Sequence, residues 1–264
     1  MLKSLKPELI EVWPGLAPGE TTTAVGYDID DGDGDIVRRT GVTSPELFVY
    51  RNGSENSGPF VLVCPGGGYE ILARGHEGAD IAVWLNSLGY TAAVLHYRVP
   101  FKRDGALQDV QRAVSILRSR ASEFGIDPDR LGVMGFSAGG HLCARLSVEG
   151  DNRAYEPVDA ADEFSCRPSF TMLIYPAYLA DGSERAQEVV PHAGMPPIFL
   201  AQSEDDSYFC TTAYSELLEK AGVSYKNAVY STGGHGYGLR APSDVPASKW
   251  PEDAAAWLAK LSFK

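Results

Sequence analysis

The stretch LGVMGFSAGGHL, residues 131–142, decides the fold. Its first part is apolar and suited to a strand, and its last part reads as the start of a helix. Between them GFSAG (135–139) matches G-x-S-x-G, the pattern of a nucleophile elbow. So tight a turn forces Ser137 towards strained dihedrals and holds its Oγ clear of the sheet. It also sets the hydroxyl near a helix N-terminus, whose positive end favours a developing oxyanion. Gly135 and Gly139 relieve crowding against the neighbouring strand and helix. Ser137 is therefore the candidate nucleophile.

Upstream, CPGGGY (64–69) follows directly on the apolar run PFVLVC (59–64). Glycines there let backbone N–H groups turn into a site without side-chain obstruction. The N–H of Gly67 or Gly68, with that of Ala138, is the candidate oxyanion hole. A phosphate-binding loop would need Gly-Lys-Ser/Thr, which is absent.

Downstream, the chain order Ser, acid, His directs attention to the ends of the last strands. PIFLAQ (197–202) runs into SEDDSY (203–208), where Glu204, Asp205 and Asp206 compete as the acid. Asp206 is preferred from its place before the next helix, with Asp205 as the alternative. His235 lies in GGHGYG (233–238), after the last strand YKNAVY (225–230), and is the only histidine beyond His192. It is the candidate general base. His96 within a strand and His141 one turn after Ser137 read as packed core groups, and His76 as a residue of the pocket entrance. Tyr69, Glu77 and Tyr237 are candidate substrate-binding residues by their position beside the motifs. The chemistry calls for no metal and no organic cofactor.

Strands and helices alternate outward from this centre. ELFVYR (46–51), YTAAVLHYR (90–98) and FTMLIYP (170–176) read as further strands. HEGADIAVWLNSLG (76–89), ALQDVQRAVSILRSRASEFG (106–125), Tyr208–Gly222 and PEDAAAWLAKL (251–261) read as helices. This alternation predicts a mainly parallel sheet with helices on both faces, in one domain spanning 1–264. Ligands of such sheets bind beyond the carboxyl ends of the strands. Residues 1–40 are expected to be an irregular arm. Within it IDDGDGDIV (29–37) fails the EF-hand pattern, because Ile36 and Val42 occupy the positions that require Gly and Glu. It reads as a solvated acidic turn.

With 35 Asp+Glu against 23 Lys+Arg the chain carries −12 and shows no basic stripe. That argues against nucleic acid and an anionic membrane surface as partners, and leaves neutral substrates open. No apolar run approaches the length of a membrane span, and the N-terminus shows no signal-peptide core, so a cytoplasmic location is expected. Cys64, Cys143, Cys166 and Cys210 lack metal-ligand spacing and are expected as buried thiols.

GFSAGGHL, PGGGY, DDSY and GGHGYG, with RGHEGADIAVWLNSLGY and LHYRV, resemble the small bacterial acetyl-xylan and feruloyl esterases of the BD-FAE type. The likeness runs from about Trp13 to the C-terminal helix. It implies an α/β-hydrolase fold and a serine carboxylesterase acting on a small-molecule or oligosaccharide ester, acetylated xylo-oligosaccharides foremost. By motif it implies Ser137, an Asp of the SEDD segment and His235 as triad. Two other readings stand beside it. One is an amide hydrolase, a peptidase or an arylformamidase-like enzyme. The other is a non-catalytic binding protein on the same scaffold, which would be expected to have lost Ser or His.

Overall fold

The computed structural model describes residues 6–29, 37–53 and 58–261. In chain order the first half contributes β1 (Glu8–Glu11), β2 (Val25–Ile29), β3 (Arg38–Val42), β4 (Glu46–Tyr50), β5 (Gly58–Cys64), α1 (Asp80–Ser87), β6 (Thr91–His96), α2 (Arg103–Ser119) and α3 (Ala121–Phe124). The second half adds β7 (Ile126–Phe136), α4 (Ala138–Glu149), β8 (Thr171–Ile174), α5 (Glu184–Gln187), β9 (Ile198–Ser203), α6 (Thr211–Lys220), β10 (Tyr225–Tyr230) and α7 (Trp250–Leu258).

Among the described residues eight strands form one sheet in the order β1-β4-β6-β5-β7-β8-β9-β10. From β6 to β10 every pairing is parallel, and β4 and β1 add an antiparallel edge. This is the α/β-hydrolase architecture. Its period-two alternation is visible in β5: Phe60, Leu62 and Cys64 enter one core, and Val61 and Val63 enter the other. The first core packs beneath α2, α4 and α6 through residues such as Val110, Leu142 and Leu218. The second packs beneath α1 and α7 through Ile81, Leu85, Trp250 and Leu258.

Two expectations need correction. The arm expected to be irregular supplies β1 to the main sheet, and β2 pairs with β3 in a separate antiparallel ribbon. These strands are short and, outside their pairing, largely wet, so they carry little hydrophobic signal. The helix expected from 76 begins with a wide π turn over Gly75–Ala79 before α1. The acidic turn at 29–37 falls almost wholly outside the described residues. All four cysteines are buried and free. No helix among the described residues is long and apolar enough to cross a membrane.

His96 and His141 are buried, as expected of core groups. His96 packs against Phe48 at 4.4 Å between ring centroids, and its Nδ1 is buried without a hydrogen-bond partner. Burial, helped by the charges of Arg39 and Arg74, pushes its pKa down to about 3. Burial likewise lowers His141 to about 4, against the opposing pull of the Arg185 carbonyl. In the unfolded chain both titrate near 6.5. Below that pH the unfolded state binds protons that the native state refuses, so stability falls as pH falls. The melting temperature is expected to drop between about pH 7 and pH 5. His96→Phe, followed by circular dichroism, should make that drop smaller.

Candidate active site

The sheet delivers its chemistry at the carboxyl ends of four parallel strands. Ser137 follows β7, Pro65–Tyr69 follows β5, Asp206 follows β9 and Gly233–Gly238 follows β10. Ser137 has φ 51° and ψ −118°, a left-handed conformation foreign to most non-glycine residues. The neighbours hold it there: its N–H donates to Ile174 O at 3.1 Å, and its carbonyl accepts from Gly140, His141 and Ala177. Gly139 is obligatory, since a Cβ at that position would overlap the Cys64 carbonyl of the adjacent strand.

Ser137 Oγ lies 2.8 Å from His235 Nε2, and His235 Nδ1 lies 2.9 Å from Asp206 Oδ2. The carboxylate can only accept, so Nδ1 carries the proton and Nε2 is left to receive the serine O–H. The Asp206 side chain is fully buried, whereas the imidazole remains partly open. Asp206 also accepts from Gln202 Nε2 at 3.0 Å and from the Tyr208 N–H at 2.8 Å. Asp205 takes a different place. It is exposed and accepts from the N–H groups of Gly233 and Gly234, at 3.0 and 2.9 Å. Those two bonds, Gly234 foremost, hold its carboxyl below the usual carboxylate range. It steadies the backbone that leads into His235.

Gly67, Gly68, Ser137 and His235 line one cavity of about 390 Å³. Gly67 sits at φ 131°, and a Cβ there would collide with Ile71. Ala138 opens α4 directly after the serine. The three residues expected as oxyanion donors thus border the serine from the β5 loop and from the helix N-terminus.

A family model described as BD-FAE matches residues 47–173. The chain is 28% identical over 212 residues to an acetylxylan esterase of Xylanibacter ruminicola, covering 69% of this chain and 42% of that one. It is 30% identical over 235 residues to endo-1,4-beta-xylanase B of Butyrivibrio fibrisolvens, covering 78% and 36%. It therefore spans less than half the length of either relative. An acetyl ester-xyloside bifunctional hydrolase from Caldicellulosiruptor lactoaceticus superposes with a TM-score of 0.76 at 29% identity, over 92% of this chain and 99% of that one. The chain is thus similar to BD-FAE-type esterases, with the family model matching a little under half of its length.

Within this site the three residues expected to bind substrate part company. Tyr69 is buried, turned by φ 64°, and its O–H donates to His141 Nδ1 at 2.9 Å. It is a core residue beside α4 and does not line the cavity. Tyr237 packs against Tyr175 at 4.5 Å between centroids and is also core. Proximity in a motif did not reveal which way these rings point. Glu77 does border the cavity, yet its two oxygens are engaged. One accepts from the Gly66 N–H at 2.7 Å, the other from the Tyr175 O–H at 2.8 Å. Tyr175 Oη in turn accepts from the Gly238 N–H at 2.9 Å. Glu77 thereby ties the glycine loop to the loop that carries His235. His76 lines the same wall, with Nε2 3.2 Å from Gly236 O.

Glu77→Gln keeps the size but replaces one acceptor by an N–H group, which must then face a donor. Steady-state kinetics on a simple ester should show kcat reduced by about ten- to a hundredfold with KM little changed.

Gln202 was missed from the sequence. Buried at the end of β9, it donates to Asp206 and to Tyr208 O, and accepts from Cys210 and Thr211 N–H. A lone amide ending an apolar strand was the available signal.

Proposed function

We propose that this chain is a serine carboxylesterase that removes short acyl groups, acetyl foremost, from carbohydrate esters such as acetylated xylo-oligosaccharides. The observation that carries the reading is the continuous path from Ser137 Oγ through His235 to a buried Asp206, at 2.8 and 2.9 Å, opening on a cavity that Gly67 and Gly68 also line. The carbohydrate ester is supported by the acetylxylan esterase and the acetyl ester-xyloside hydrolase to which the chain is similar.

In this reading Ser137 Oγ attacks the ester carbonyl as its proton passes to His235 Nε2. Asp206 stabilises the imidazolium and keeps its ring in register. The carbonyl oxygen, now an anion, takes hydrogen bonds from the N–H of Ala138 and of Gly67 or Gly68. His235 then gives its proton to the departing sugar oxygen, and the C–O bond breaks to leave the acyl-serine. Water deprotonated by the same imidazole attacks that ester, frees the acid and restores the serine.

Acetate release from acetylated xylo-oligosaccharides, with Ser137→Ala as control, tests the proposal. Release that disappears in the variant is the expected result. Cleavage of p-nitrophenyl acetate without release from the saccharide would overturn the carbohydrate part. Cleavage of neither ester would favour an amide substrate or a binding role.

A further inference from the structure

The wall of the cavity beside His235 is aromatic. The Tyr208 ring lies 4.9 Å from the His235 ring, and the Tyr178 ring lies 5.9 Å from that of Tyr208. Both tyrosines line the cavity. Tyr208 is 45% exposed, a large ring left in water at the mouth of the site. Its position is nevertheless fixed from below. Its N–H donates to Asp206 and its carbonyl accepts from Gln202, so the triad's own acid sets its backbone. Tyr178 adopts φ 65°, a strained conformation for a non-glycine residue, and carries the Arg185 guanidinium 4.2 Å from its ring centroid. Strain of this kind persists where the surrounding structure imposes it, and it gathers at functional sites.

Acyl-transfer chemistry says which part of an ester this wall meets. His235 Nε2 must reach the leaving oxygen in order to protonate it. The carbonyl oxygen must lie on the other side, towards Gly67, Gly68 and Ala138. Tyr208 adjoins the imidazole and Tyr178 extends the wall from it, so the wall borders the leaving group. A pyranose ring presents a flat face of polarised C–H bonds that packs against an aromatic face, with hydroxyls at its rim for the phenol oxygens. A neutral sugar also suits a chain of net charge −12 better than an anionic group would.

We infer that Tyr208 and Tyr178 form a leaving-group subsite that takes one face of the pyranose ring bearing the scissile ester. The inference rests on the esterase reading above and adds which part of the substrate is recognised and by which residues.

The test compares ethyl acetate, acetylated xylobiose and ethyl ferulate in wild type, Tyr208→Ala and Tyr208→Trp. Tyr208→Ala should lower kcat/KM for acetylated xylobiose about tenfold more than it lowers that for ethyl acetate, with the excess appearing in KM. Free xylobiose should inhibit ethyl acetate hydrolysis competitively in wild type, with Ki raised to a similar degree by Tyr208→Ala. Tyr208→Trp keeps an aromatic face and should retain the saccharide activity. Equal losses on both acetates, or a Ki unchanged by Tyr208→Ala, would overturn the subsite. A loss confined to ethyl ferulate would assign the wall to the acyl group and overturn it as well. A wild-type protein that cleaves ethyl acetate through Ser137 but not acetylated xylobiose defeats the subsite and the carbohydrate part of the reading, and leaves the esterase chemistry standing. One that cleaves neither defeats the esterase reading itself.

Discussion

Ser137→Ala is expected to lower ester hydrolysis by about a million-fold in kcat, leaving only what the oxyanion donors and binding supply. The size of the loss follows from the architecture. The strained turn between β7 and α4 aims one hydroxyl at His235 Nε2, 2.8 Å away. Alanine removes that hydroxyl, and the imidazole then has no nucleophile to activate. The fold should tolerate the change, because the backbone bonds that hold residue 137 run through its N–H and carbonyl. Kinetics on p-nitrophenyl acetate, with circular dichroism to compare melting, checks both halves. His235→Ala should fall to a similar level, since members of such a unit do not contribute additively.

The second large effect separates two adjacent carboxylates. Asp206→Asn should reduce kcat by about ten-thousand-fold, because an amide that donates to Nδ1 forces the imidazole into the wrong tautomer. Asp205→Asn should have a far smaller effect, within about tenfold, since an amide oxygen can still accept from the Gly233 and Gly234 N–H groups. The contrast comes from burial and direction. Asp206 points inward at 2.9 Å from His235, whereas Asp205 points outward and steadies the loop. A profile in which Asp205→Asn is the crippled variant would exchange their roles.

Much of this was legible in the sequence, for identifiable reasons. The elbow combines a pattern with a context, an apolar run before it and small helix-compatible residues after it. The order of Ser137, the SEDD segment and His235 along the chain placed the remaining groups at strand ends. Sequence could narrow the acid to Glu204, Asp205 and Asp206 but could not rank them by burial, because successive loop residues point in directions that only tertiary packing sets. Tyr69 and Tyr237 failed for the same reason: each stands beside a glycine motif, yet each ring turns into the core. The strands before β4 escaped notice because they are short and bury little. The aromatic wall was only half visible. Tyr208 belongs to the DDSY motif, but Tyr178 reaches it from a separate loop after β8.

The central claim is that Ser137 is the nucleophile of a Ser–His–Asp unit, and covalent trapping tests it most directly. The protein would be incubated with the organophosphate paraoxon, followed by peptide mass spectrometry and residual esterase activity. A single diethylphosphoryl group on the peptide carrying Ser137, accumulating in step with loss of activity and absent from His235→Ala, is the predicted result. Label elsewhere that accompanies inactivation, or an active wild-type enzyme left unlabelled at Ser137, would contradict the account.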